Sequence, residues 1–154
     1  MYFLLLACGT PTLIEPPTVV EKNTVVPTET TSLVTLLSAR DSQLDCTQLP
    51  TTELRTELIS IVDTVERPPW VPMRAAACLA ELYPTESQED LLRWIATPDK
   101  KGLAFLIAGQ LSKLPDDIAK NVAQAGLNGP HAQEIRLRIT KQNDPRLAPL
   151  LEVP

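Results

Sequence analysis

The stretch WVPMRAAACLAELYPTESQEDLLRWIATP, residues 70 to 98, decides the fold. Val71, Ala75, Cys78, Leu79 and Leu82 recur at i, i+4, i+7, i+8 and i+11, which places all five on one stripe of an α-helix. Ala76, Ala77 and Ala80 widen that stripe with small side chains, so a neighbouring helix can approach closely. Pro84 stops the helix, because it has no amide hydrogen to donate and disfavours helical backbone in the residue before it. Thr85-Glu86-Ser87-Gln88 then reads as a capping box, with Thr85 as N-cap and Gln88 reaching back to it. The second helix carries Leu91, Leu92 and Ile95 inward and ends near Thr97-Pro98.

Towards the C-terminus the same grammar returns about 29 to 31 residues later. Leu103, Ile107, Leu111 and Leu114 repeat the first stripe, and Pro115 stands where Pro84 stood. Asp116 and Asp117 open a helix holding Ile118, Val122 and Ala125, which Gly126 and the Asn128-Gly129-Pro130 turn end. A third, shorter copy has Ile135 and Ile139, then Asn143-Asp144-Pro145, then Leu147, Leu150 and Leu151. The units are joined as helix, proline turn, helix, and no strand is predicted anywhere.

A period near 30 built this way resembles the HEAT-like repeats, in particular the short bacterial kind of the phycobilisome lyases. Arg74-Ala75-Ala76-Ala77-Cys78-Leu79-Ala80-Glu81-Leu82 and Asp90-Leu91-Leu92 carry the resemblance, and the repeats cover about half the chain. The resemblance implies an all-α fold, a short α-solenoid of HEAT-like helical hairpins with an N-terminal helical cap. A non-repetitive helical bundle with coincidental spacing is the alternative.

Upstream of residue 70 the chain supplies that cap. Thr51-Thr52-Glu53 begins a regular helix in which Leu54, Leu58, Ile61, Val62 and Val65 face inward, and Pro68-Pro69 terminates it. Before it, Ser32 reads as the N-cap of a short helix with Leu33, Leu36 and Leu37 inward, ending near Arg40-Asp41. An end unit must cover its neighbour's apolar face and still present a polar one to water. The helical domain therefore runs from 32 to 154.

Residues 9–31 differ in composition. Pro11, Pro16, Pro17 and Pro27 punctuate a run rich in threonine and valine with no helical period, which reads as an extended linker reaching up to roughly 60 Å. Residues 1–8 are apolar, and Leu5-Leu6-Ala7-Cys8 resembles the lipobox of bacterial lipoproteins, which implies lipid attachment at Cys8. The run lacks a basic segment, so this reading places the true start upstream of Met1; the alternative is an apolar terminus with a chance cysteine. Gly9, rather than an aspartate, follows the cysteine, which implies an outer membrane lipoprotein facing the periplasm. Export would leave Cys46 and Cys78 in an oxidising compartment that favours their pairing as a disulfide, whereas a cytosolic chain would keep Cys78 as a buried free thiol.

Composition agrees with a helical core and excludes several functions. Only six of 154 residues are aromatic, so leucine, isoleucine, valine and alanine must fill the interior. The net charge of −5 lacks the basic surface that nucleic acid requires. Residues 1–97 hold 6 basic and 13 acidic side chains and 98–154 hold 8 and 6, so only the C-terminal part is basic. Arg136, Arg138, Lys141 and Arg146 are either a solvated face or a surface for an acidic partner.

No catalytic constellation is legible. His131 has no cysteine or carboxylates at ligand spacing and reads as a surface residue, so neither a metal nor a cofactor is expected. Five glycines leave little material for a phosphate loop, and Asp116-Asp117 is explained by helix capping and the macrodipole. The expectation is a non-enzymatic protein-protein interaction or scaffold module in the bacterial cell envelope, held to the membrane through lipid. The alternatives are a pilotin-like assembly factor for a secretion complex and a lyase-type enzyme or enzyme subunit. In HEAT-like arrays the second helices of successive hairpins line one face, which makes Asp90, Arg93, Trp94, Lys120 and Gln124 the candidate protein-binding residues. Trp94 lies about 100° from the centre of its stripe and is the best single anchor candidate, the alternative being a tryptophan half covered by its own fold.

Overall fold

The computed structural model describes residues 32–39, 45–50 and 53–152. The lipobox with Cys8, the linker 9–31, the helix end expected at Arg40-Asp41 and the start at Thr51-Thr52 lie outside the described residues. Among the described residues eight α-helices follow one another: α1 Leu33–Ser38, α2 Leu54–Thr64, α3 Trp70–Leu82, α4 Gln88–Ile95, α5 Lys101–Gln110, α6 Asp116–Leu127, α7 Ala132–Gln142 and α8 Ala148–Leu151. Among the described residues there is no strand.

The local signals act largely as the sequence implies. Ser32 caps α1, its hydroxyl accepting the Thr35 amide at 3.3 Å. The stripe of α2 buries Leu54, Leu58, Ile61 and Val62, and that of α3 buries Val71, Ala75, Cys78 and Leu79. Pro84 follows the end of α3 and Pro115 precedes α6, as expected.

The capping box does not form. Residues 84–87 make a turn in which the Ser87 amide donates to the Tyr83 carbonyl at 2.9 Å, and the Ser87 carbonyl accepts the Leu91 amide at 2.9 Å. Helical hydrogen bonding is thereby carried across the proline, so Ser87 rather than Thr85 stands at the N-cap of α4. Ser87 is fully buried with its hydroxyl unpartnered, while Thr85 is left exposed.

The helices stack in two rows. α1, α3, α5 and α7 meet in succession, and α4, α6 and α8 do the same beside them. Between consecutive helices the extensive contacts are α2 with α3, α4 with α5 and α6 with α7, not those across Pro84 and Pro115. The tight pairs are therefore offset by one helix from the hairpins read in the sequence. At Pro115 the reason is local: Leu114 and Pro115 have ψ of 153° and 151°, and this extended step leads the chain away from α5 before α6 begins.

One apolar cluster runs through all of it, and Trp94, Leu58, Leu79, Leu91, Ile95, Ile107 and Leu111 are among its fully buried members. Gly126 does not end α6, which continues to Leu127. A Cβ there would stand 2.8 Å from Ile95 Cδ1 and 3.0 Å from Ile135 Cδ1, so this glycine lets α4 and α7 close on α6. The Cys46 and Cys78 sulfurs lie 2.09 Å apart and form a disulfide with a Cα separation of 5.4 Å. It ties the turn before α2 to the inward face of α3.

Candidate functional site

The expected binding residues on α4 sit in a clamp to α2. Arg93 donates from Nη1 and Nη2 to the two carboxylate oxygens of Asp63 at 3.0 and 2.9 Å, and from Nη2 to Asp90 at 2.9 Å. Asp90 also lies 3.6 Å from the Arg55 guanidinium. Lys100 Nζ donates to the Val62 carbonyl at 2.9 Å and stands 3.5 Å from Asp63. Bonding to Arg93 holds the Asp63 carboxyl below the ordinary aspartate value of 3.8 against the opposing effect of partial burial, and the Trp94 indole and the Lys100 charge act in the same direction.

Trp94 is the main correction. It is fully buried, with its Nε1 donating to Asp63 Oδ1 at 2.8 Å. A tryptophan sinks completely only when its N–H finds an acceptor, and the acceptor comes from a helix 31 residues upstream. Its ring offers no surface to a partner, and Leu92 moves to the margin of the core instead. Arg93 stays half exposed, 5.3 Å from the Trp94 ring centroid, with its guanidinium committed to Asp63 and Asp90. Lys120 and Gln124 are exposed one turn apart on α6. The five expected residues thus comprise a structural clamp and two surface positions.

The basic C-terminal part is also partly structural. Arg146 donates to Asp116 at 2.6 Å, to Asp144 at 2.7 Å and to the carbonyls of Leu114 and Ser112 at 3.1 Å, closing the end of α5 against the final turn. Arg136 donates to the Leu151 carbonyl at 2.6 Å. His131 is half-buried rather than on the open surface, its Nε2 3.3 Å from the Thr97 carbonyl. Among the described residues no three histidine, cysteine, aspartate or glutamate side chains converge to hold a metal ion, and no helix is long and apolar enough to cross a membrane.

Among the hollows at the described residues, besides one of about 490 Å³ between α7 and α8, two lie against α5. One, of about 380 Å³, lies between the end of α2 and the starts of α3 and α5, with Val65, Pro69, Met73 and Leu103 in its wall and Glu66 and Asp99 at its rim. The other, of about 130 Å³, lies on the outer face of α5 and α7 and contains Phe105 and Leu137. The sequence signal for the second was available: Phe105 and Leu137 stand 32 residues apart, the spacing of Leu103 from Ile135 and of Ile107 from Ile139. No family model, curated protein or solved structure matches this chain.

Proposed function

We propose that this chain is a lipid-tethered protein of the bacterial envelope, a short α-solenoid of HEAT-like units that presents a surface to a protein partner and performs no chemistry. One observation supports the repeat part of this reading: most side-chain hydrogen bonds between distant parts of the chain span close to one repeat. Arg93 reaches back 30 residues to Asp63, Arg146 reaches back 30 to Asp116 and 32 to Leu114, and Gln142 reaches back 34 to Ala108. Each unit is pinned to the one before it, as in an array whose members touch only their neighbours. Rigid stacks of this kind expose long faces suited to protein recognition, and the long polar side chains that a catalytic site would need are spent on joints between units. A disulfide in a small helical lipoprotein also suits the pilotin-like alternative, which differs in the identity of the partner rather than in the kind of work done.

Metabolic labelling of the full open reading frame with a fatty acid, followed by membrane fractionation, tests the tether. The wild type should label and partition with membranes, and Cys8→Ser should do neither. A wild-type protein that is unlabelled and recovered from the cytoplasm would overturn the proposal.

A further inference from the structure

Phe105 and Leu137 are the large apolar side chains left exposed among the described residues, at 43% and 59%. They lie on α5 and α7, which pack side by side, and share the hollow of about 130 Å³ with Arg138 and Lys141. Their spacing of 32 residues is that of the buried pairs Leu103 and Ile135, and Ile107 and Ile139, on the same two helices, and the position 32 residues before Phe105 is Met73 on α3. On α3 that position is half-buried, whereas α5 and α7 expose an apolar side chain there, although an outward position on a solvated helix is ordinarily polar.

Charge at this hollow is unbalanced. The Arg138 guanidinium lies over the Phe105 ring at 4.8 Å from its centroid, and its Nε is buried with no hydrogen-bond partner. Gly109 makes room for it, since a Cβ there would meet Arg138 Nη2 at 2.9 Å. Glu134, the acidic residue beside it, is bonded by Lys101. Among the described residues no carboxylate lies within ion-pairing distance of Arg138 or Lys141. A guanidinium placed over a ring can still take a carboxylate in a two-pronged bond.

We propose that the α5–α7 hollow docks an extended or helical segment of a partner protein in which an apolar side chain is flanked by an aspartate or glutamate. The apolar side chain seats between Phe105 and Leu137, the neighbouring carboxylate bonds Arg138, and Lys141 adds attraction. A concave site of this volume takes one side chain, whereas a membrane surface is entered by protruding apolar groups. The positive rim on a chain of net charge −5 selects an acidic segment. This inference rests on the reading of the chain as an interaction module.

The test places a photocrosslinker in the full chain in its producing cell, as Leu137→benzoylphenylalanine on this face and Gln124→benzoylphenylalanine on α6, with the adducts mapped by mass spectrometry. The expected result is a protein adduct at 137 on a segment with an acidic residue within about one helical turn. Arg138→Gln should lower its yield about tenfold. Gly109→Ala, which crowds the guanidinium without removing it, should lower the yield while circular dichroism stays unchanged. A lipid adduct, a segment without acidic residues, or a yield indifferent to Arg138→Gln would overturn the proposal. Protein adducts confined to 124 would overturn it and leave the interaction module standing, while no protein adduct at either position would overturn both.

Discussion

Asp63 and Arg93, thirty residues apart, close a two-pronged ion pair whose carboxylate also accepts the buried indole N–H of Trp94. The charged half of this joint faces water and the indole half faces the core, so its two halves differ in energetic weight. An ion pair with a half-exposed arginine gains little, because solvent screens it and two long side chains must be ordered. A buried donor stripped of its acceptor loses its full desolvation penalty.

Asp63→Ala should therefore destabilise the protein by roughly 1–3 kcal/mol. Arg93→Ala, at a side chain 51% exposed, should cost at most about 1 kcal/mol. Urea denaturation of the two variants ranks them. Equal losses, or a larger loss at Arg93, would contradict the role given to the indole bond.

The same joint sets an acid limit. Asp63 is held below the ordinary aspartate value by Arg93, and Asp144 is held below it by its bonds to Arg146. A carboxyl whose folded value is depressed contributes stability that is fully present above its unfolded value and is lost as pH falls through the folded one. Melting temperature should hold steady down to about pH 5 and decline below 3.8, the ordinary aspartate value, with a shallower decline in Asp63→Asn. A decline of equal steepness in that variant would remove Asp63 from the account.

The helices were legible because their stripes are written in consecutive residues. Leu103, Ile107, Leu111 and Leu114 are all buried, as their spacing implies. What the sequence hid depends on partners far along the chain. Nothing within α4 says that Trp94 will be sunk, because the carboxylate that permits it belongs to α2. The capping box fails for a different reason: Pro84 implies a break, yet the turn after it continues hydrogen bonding back to Tyr83. On the surface, the Phe105 and Leu137 pair is marked in the sequence only by two outward positions that stay apolar 32 residues apart.

The disulfide gives a third expectation. Cys46 and Cys78 are separated by 32 residues, and closing a loop of that length in the unfolded chain corresponds to roughly 3–4 kcal/mol. Protein isolated from its producing cell without reductant should show no alkylation at either cysteine before reduction, and reductant should lower the urea midpoint. Two alkylated thiols in the unreduced protein would refute the pairing.

Two glycines in helices should respond oppositely to alanine. Gly102 has nothing within 4 Å of the added Cβ, so Gly102→Ala should stabilise by about 0.5–1 kcal/mol through helix propensity and a less flexible unfolded chain. Gly126→Ala gains the same propensity but drives Ile95 and Ile135 out of place, and overpacking of roughly 1–3 kcal/mol leaves a net loss of about 1 kcal/mol. Thermal melts of both variants check the sign. A stabilising Gly126→Ala would mean that α4, α6 and α7 are less closely packed than described.

The proposed stack of neighbour-pinned units is tested most directly by native-state hydrogen exchange on the full chain carrying Ile139→Ala. Ile139 is buried in α7, which touches α5, α6 and α8 and lies at the far end of the rows from α2. If units touch only their neighbours, the cavity should weaken amide protection in α7 and α8 strongly, in α5 and α6 less, and in α2 and α3 little. Uniform loss of protection from α2 to α8 would show one indivisible helical bundle and contradict the account.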